Sequence, residues 1–315
     1  MKNKVVVVGS YNTDMTIKSK KLPGPGETVI GGHFSTGGGG KGANQAIAAA
    51  RIGAEVTFVA RVGNDLLGSE GIKRLNEEHI NTKYIYRDNE LPTGVAFIVV
   101  DDKGENSIVV ASGANANLSP TDIESASDEI SSADILLIQL ESPIESVYAS
   151  IKSAHDNGVT VILNPAPAQE LDNHILRYVD IITPNIVEAE MLTGIKVTDV
   201  NSLQSIVNRF FDYGINDVII TLGSKGYFAG SHDAMKIIPA LNVAPIDTTG
   251  AGDVFSGSLA AFLSEGMTIE KAARMANAAA SVSVTRLGAQ DGAPKRVEIE
   301  NFVASYNAAK TEVLN

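Results

Sequence analysis

Cysteine is absent from the 315 residues, which excludes disulfides, thiolate-bound zinc, iron–sulfur clusters and cysteine nucleophiles. A chain without thiols suits a reducing compartment, and a cytoplasmic location is expected. Tryptophan is also absent and aromatic residues make up only 5%, so successive nucleobases would find no stacking platform. Basic residues are outnumbered, 25 Lys and Arg against 37 Asp and Glu, and the net charge of -12 argues against holding nucleic acid or anionic lipid by bulk charge. A small solvated substrate fits that composition better. Long apolar runs are missing too: the opening MKNKVVVVGS stops being apolar after Val8, and no stretch reaches the roughly 18 residues of a membrane span. Neither a signal peptide nor a membrane partner is expected. The five histidines, His33, His79, His155, His174 and His232, form no i, i+4 pair, so a histidine metal centre or a Ser-His-Asp hydrolase has no support.

What is present is 44% hydrophobic residues and 29 glycines, arranged in short apolar runs that alternate with helical patterns. Strands are predicted over 5–8, 56–60, 134–140, 159–163, 180–183 and 217–221. Helices are predicted over 143–157, 186–192, 203–213, 251–265, 268–286 and 297–309, with a fraying tail over 308–315. Runs without alternation suit strands buried on both faces, so the fold class is α/β, a doubly wound, mostly parallel sheet flanked by helices. Residues 12–36 and 91–112 break this pattern with turn residues and strand-like stretches, and GVAFIVV and NSIVVA around Asp101-Asp102-Lys103-Gly104-Glu105 read as a hairpin. The expected organisation is an α/β domain of 1–11, 37–90 and 113–315 with a small β lid of 12–36 and 91–112.

Two glycine-rich segments carry the chemistry. In TGGGGKGANQAIAAARIG, four glycines precede an alanine-rich helix former, which reads as a nest feeding a helix N-terminus where oxygen-rich groups bind. Gly37, Gly39 and Gly42 also satisfy G-x-G-x-x-G, but a dinucleotide fingerprint should follow the first strand directly, and this run lies about thirty residues later. A Walker A loop fails as well, because Lys41 is followed by Gly42 and position 35 is Ser. In DTTGAGDVF, Gly250 and Gly252 let successive N–H groups point into one concavity at a helix start, where the dipole adds positive potential. A transferring phosphoryl group needs such a hole, and Asp253 at its rim can take the proton of an attacking hydroxyl.

Together GGGGKGANQAIAA and DTTGAGDVFSG resemble the ribokinase or PfkB carbohydrate-kinase family. GSYNTD, PGPGET, QLESP, NPAPA, TPNIVEAEMLTG, TLGSKG and NAAASVSVTRLGAQ extend the resemblance, in the family's order, over nearly the whole chain. It implies an ATP-dependent phosphotransferase acting on D-ribose at its 5-hydroxyl. By the same resemblance Asn12, Asp14, Gly40, Lys41, Asn44, Glu141 and Asp253 hold the sugar; a pentose offers hydroxyls that donate to carboxylates and accept from amides and ammonium groups. Asp253 is the base, and Gly250, Ala251 and Gly252 supply N–H groups to the γ-phosphoryl. Asn185 and Glu188 are implied near Mg²⁺ and the phosphates, with Thr221, Gly223, Ser224, Gly226, Gly252 and Asn277 at the nucleotide. A monovalent cation, usually K⁺, is implied at Asp247, Thr249, Ser283, Arg286, Gly288 and position 292, where the family can offer a serine hydroxyl and this chain has Gly292. Dimerisation through the lid is implied too. A sibling kinase such as a deoxyribokinase, a non-catalytic sugar-binding protein and an NAD-dependent oxidoreductase stay open as alternatives.

Overall fold

Strand β1 (Lys4–Val8) shows why the apolar runs are uninterrupted. In the computed structural model, which describes residues 3–313, Val5 and Val7 enter one hydrophobic core while Val6 and Val8 enter another on the opposite face. A strand covered on both sides leaves no position for a polar residue. Around β1 the chain adds β2 (Asn12–Lys18), β3 (Phe34–Gly39), β4 (Glu55–Gly63), β5 (Ile85–Asp88), β6 (Gly94–Val100) and β7 (Asn106–Ala111). Strands β8 (Ile135–Ile138), β9 (Thr160–Leu163), β10 (Ile181–Ile182), β11 (Asp217–Thr221), β12 (Tyr227–Gly230) and β13 (Met235–Ile238) follow. Nine of them form the main sheet in the order β13-β12-β11-β10-β9-β8-β1-β4-β5. All its pairings are parallel except those of β12 and β13, which turn back as an antiparallel edge that the sequence reading did not include.

The helices are α1 (Lys41–Ile52), α2 (Leu66–Glu77), α3 (Pro120–Ser125), α4 (Ser127–Ser132), α5 (Ile144–Asp156) and α6 (Asn173–Leu176) in the first part of the chain. Later come α7 (Ile186–Thr193), α8 (Val200–Asp212), α9 (Ala251–Ser264), α10 (Ile269–Ser283) and α11 (Arg296–Val313). The last of these runs past the predicted end at 309 and through most of the expected tail, whose final two residues, Leu314 and Asn315, lie outside the described residues. Helices α1, α9 and α10 bring alanine-rich faces to the core of Val5 and Val7, and α5 and α8 close the other face. Small residues let α1 and α9 approach closely: a Cβ on Gly257 would stand 2.3 Å from the Gln45 carbonyl oxygen. Among the described residues no helix is long and apolar enough to cross a membrane.

From β1 the chain leads to β4 and β5 on one side, while β8 to β11 extend the sheet on the other. The strand order therefore reverses between β1 and β8, and in open α/β sheets the crevice at the carboxyl ends of such strands is where ligands bind. Strands β2, β3, β6 and β7 form a separate sheet of order β3-β2-β6-β7 beside this crevice, and β3 continues to Gly39, three residues past the expected lid boundary at 36. The hairpin joins β6 to β7 antiparallel, and β2 pairs with β6 in parallel.

The glycine run differs from the expected nest. Gly37, Gly38 and Gly39 are strand residues of β3 paired with Asp14, Thr13 and Asn12, and only Gly40, at φ 88°, makes the turn into α1. The reason is crowding: a Cβ on Gly39 would lie 2.1 Å from Asp14 Oδ1, and one on Gly38 would lie 2.1 Å from Gln290 Oε1. Strand geometry at these positions also removes the dinucleotide fingerprint. Gly42 is held equally tightly, since its Cβ would meet Ser10 N at 2.7 Å and the Gly9 carbonyl carbon at 2.8 Å, backbone that cannot swing aside. Gly42→Ala is expected to destabilise the protein by about 1–3 kcal/mol as overpacking, read as a lower urea midpoint at unchanged slope.

Candidate active site

The first turn of α1, the end of β1 and the end of β8 meet at the strand-order reversal. Glu141, just beyond β8, accepts from Ser10 Oγ at 2.5 Å and from the Lys41 backbone N–H at 3.0 Å. Asn12 opens β2, and its side-chain oxygen accepts from Asn115 Nδ2 at 2.9 Å. Asn115 also accepts from Tyr11 N–H and donates to the Tyr11 carbonyl, both at 2.9 Å, so one buried amide pins the chain where it leaves for the small sheet. These groups surround a cavity of about 460 Å³ whose walls include Ser10, Asn12, Asn115, Glu141 and, from the small sheet, Val110. Asp14 stands within β2. Burial, then the charges of Glu141 and Asp253, push its carboxyl up to about 6.

Asp253 lies in the first turn of α9 and is almost fully buried. Its Oδ2 accepts from Asn44 Nδ2 at 2.9 Å and its Oδ1 from Gln45 Nε2 at 3.0 Å. Lys41 is drawn into the same cluster: the Asp253 charge, opposed by burial and aided by Glu141 and Glu188, pushes the ammonium pKa upward. A cation among carboxylates, with amides interleaved, is a donor and acceptor set suited to a polyhydroxyl ligand. Gly40 takes part through backbone alone, as its Cβ would strike Ser10 O and Asn12 N at 2.8 Å.

A second cavity, of about 430 Å³, opens beside the α9 start. Gly223, Ser224, Ala251 and Asn277 line it together with Leu241, Val243, Pro245, Thr248 and Val284. This apolar lining was not anticipated, because 241–248 forms neither a strand nor a helix and carries no periodic signal. Thr221 and Gly226 do not line the cavity. Thr221 N–H bonds the Pro184 carbonyl at 2.8 Å, and Gly226, at φ 99°, makes the tight return into β12. Asn277 donates to the Pro239 carbonyl at 3.0 Å. Helix α9 follows Gly250, its N-cap, with φ 74° and no side-chain cap, and a Cβ on Gly252 would have open space around it. Uncapped first-turn N–H groups and the helix dipole make this an anion-binding end, although Ala251 N–H is turned back to Thr248 O at 3.3 Å.

Asn185 and Glu188 form a capping box on α7, and both Glu188 oxygens accept from Asn185 at 2.8 Å. Burial raises the Glu188 pKa against the Asn185 hydrogen bond and the Lys41 charge. Around the loop before α9, Asp247 accepts from Thr249 N–H at 2.9 Å and from Gly288 N–H at 2.8 Å. Burial opposes its ionisation, but these hydrogen bonds outweigh it and hold the carboxyl below its ordinary value. Next to them three carbonyl oxygens converge on the point a Cβ of Gly292 would occupy: Gly288 at 2.6 Å, Ser283 at 3.1 Å and Arg286 at 3.8 Å. Any larger residue at 292 would have to displace that backbone.

Ser10, Gln45, Asn115, Gln139 and Asn164 were missed by sequence reasoning. All but Asn115 sit inside GSYNTD, GGKGANQ, QLESP or NPAPA, so adjacency to assigned positions was the available signal.

The profile of the pfkB family carbohydrate kinases matches residues 2–296, and the chain belongs to this family of ATP-dependent sugar phosphotransferases. Within it, the ribokinase of Haemophilus influenzae is 44% identical over 96% of this chain and 99% of its own. The structure of ribokinase from Thermotoga maritima superposes with a TM-score of 0.88 at 39% identity, covering 95% of this chain and 99% of that one. The structure of Arabidopsis thaliana ribokinase complexed with ribose and ATP also has a TM-score of 0.88, at 32% identity, over 96% and 99% of the two chains.

Proposed function

We propose that the chain transfers the γ-phosphoryl group of ATP to the 5-hydroxyl of D-ribose, yielding D-ribose 5-phosphate and ADP. The observation that carries this is the start of α9, which places Ala251 in the wall of one cavity while Asp253, two residues on, faces Asn44, Lys41 and Asp14. ATP occupies the 430 Å³ cavity, and the sugar lies between the 460 Å³ cavity, of whose walls Asn12 and Glu141 are part, and the Asp253 cluster, which does not line it. Asn12, Asp14, Gly40, Lys41, Asn44 and Glu141 hold the sugar hydroxyls, and Asp253 takes the proton of the attacking one. Gly250, Ala251 and Gly252 present the α9 N-terminus to the transferring phosphoryl, whose charge must be stabilised without disturbing in-line displacement.

Among the described residues no group of three or more His, Asp or Glu could hold a metal ion by itself. Magnesium keeps several waters and is held largely by nucleotide phosphates, and Glu188 and Asn185 would be the protein's contribution to it. When bound, the ion neutralises phosphate charge. The converging carbonyls of Ser283, Arg286 and Gly288, with Asp247 and Thr249 alongside, fit a monovalent cation such as K⁺. Here Gly292 leaves that space open.

The small sheet acts as a lid that excludes water, a competing phosphoryl acceptor. Strand parity puts Asp14 and Val110 on its inner face and Ile17, Phe34, Phe97 and Val109 on its outer face. Those four outer residues are all exposed, and a second copy of the lid covers them in a homodimer. A chain without cysteine works in the reducing cytoplasm.

The test is ADP release by the purified protein with ATP and Mg²⁺ across ribose, 2-deoxyribose, fructose and adenosine, each with and without K⁺. The highest kcat/KM is expected with ribose, and higher still with K⁺. Preference for another acceptor would reassign the sugar, and ribose binding without ADP release on any acceptor would reject catalysis.

A further inference from the structure

Residues Gln139, Asn164 and Thr183 directly follow β8, β9 and β10, and the register aligns Ile138 with Leu163 and Leu163 with Ile182. The three therefore stand in a row along the carboxyl edge of the sheet, beneath the start of α9. All are buried, and they connect to Asp253 through one side chain, Gln45, which has no exposed surface. Gln45 Nε2 donates to Asp253 Oδ1 and to Asn164 Oδ1, each at 3.0 Å, and Gln45 Oε1 accepts from Gln139 Nε2 at 2.6 Å.

The direction of this chain is imposed at its far end by a group that cannot reverse. The Thr183 carbonyl only accepts, so Asn164 presents Nδ2 to it, at 2.9 Å, and must turn Oδ1 toward Gln45. Gln45 must then present Nε2, and the same Nε2 reaches Asp253. Thr183 Oγ1 and Ser256 Oγ, 3.1 Å apart, tie the row to α9 one turn beyond the aspartate.

We infer that Gln45 is the positioning residue of the proton-accepting aspartate: it engages Asp253 Oδ1 from the protein interior and leaves Oδ2 as the oxygen that receives the proton. This rests on the reading of Asp253 as the base. Oδ2 carries only the Asn44 contact, from a residue that the sugar itself engages. In the transfer the acceptor oxygen bonds to the γ-phosphorus while the bond from that phosphorus to the β–γ bridging oxygen breaks. The electron pair leaves with ADP, and the hydroxyl proton moves to Oδ2.

Gln45→Met keeps the length and volume of the side chain and removes both N–H groups. It is expected to lower kcat about 10- to 100-fold, the worth of a hydrogen bond to a charged group, with KM for ribose and ATP within about threefold. In an Asp253→Asn background the same change is expected to lower the residual kcat by less than about twofold, since residue 253 no longer accepts a proton. A purely structural role would lower both backgrounds alike, and that result would overturn the inference. So would near-parent kcat in Gln45→Met alone. Should that variant fail to fold, Gln45→Glu gives the same readouts, because it keeps the shape and has at most one hydrogen for two acceptors. Near-parent kcat in Asp253→Asn would instead remove the base assignment itself.

Discussion

Asp253→Asn is expected to lower kcat by about 10²–10⁴-fold while ATP and ribose still bind, because general-base assistance is worth that much and nothing else in the variant's cluster can replace it. Asp14 and Glu141 are nearby carboxylates, but each lies on the sugar side of the site, one in β2 and one beyond β8. The amide introduced at position 253 would turn its nitrogen toward either Asn44 or Gln45, both donors, so a modest fall in Tm accompanies the loss. Steady-state ADP release and calorimetric titration of both ligands check this. A kcat within about fivefold of the parent would take proton transfer away from Asp253.

The second large effect belongs to Asp14. Its free carboxyl, raised to about 6, is largely protonated at pH 5, and the ionised form accepts a sugar hydroxyl's hydrogen bond more strongly than the neutral acid does. Sugar binding therefore favours ionisation and releases a proton in this range. The KM for ribose is expected to fall by up to about fivefold between pH 5 and pH 6 and by less than about twofold from 6 to 7. The stability sign is the reverse of the usual aspartate. Because the folded pKa exceeds the unfolded one, stability is fully present below about 4, declines between about 4 and 6, and stays reduced above. Asp14→Asn is thus expected to raise Tm of the empty protein at pH 7, to raise the ribose KM at least tenfold, and to abolish the pH step. Thermal melts and sugar KM at pH 5, 6 and 7 measure all three. A pH-independent ribose KM in the parent would separate Asp14 from the sugar.

Much of the fold was legible because its signals are local. The two-faced burial of β1 appears directly as VVVV, and the β6–β7 hairpin shows in two β-branched runs around a turn. The antiparallel edge β12–β13 was not legible, since YFAG and MKII are four-residue strands with no clean alternation. The glycine run misled for a related reason. Composition says that glycines permit a turn, but it was the side chains of Asp14 and Gln290 and the backbone of Gly9 and Ser10, brought alongside by tertiary packing, that required them.

The site divides in the same way. Asp253 and the glycines before α9 were singled out because a general base or an anion hole demands particular residue types at short spacing, whereas Lys41 and Asn44 were proposed only through the family resemblance. Gln45, Gln139 and Asn164 were not, because a buried amide in sequence looks like any polar residue. Their meaning comes from donors and acceptors contributed by α1 and by the ends of β8 and β9.

By itself, then, the sequence determined the α/β class and the two glycine-rich motifs, which are encoded in neighbouring residues, while phosphoryl transfer to a sugar followed from the family resemblance of motifs spread along the chain. Only the tertiary structure decided that β2 pairs in parallel with β6, that three strand ends line up beneath Asp253, and that one glutamine reaches it from the interior. Hydrogen-bond direction and close approach are properties of groups far apart in the chain, and they take a definite value only once the sheet has set its register.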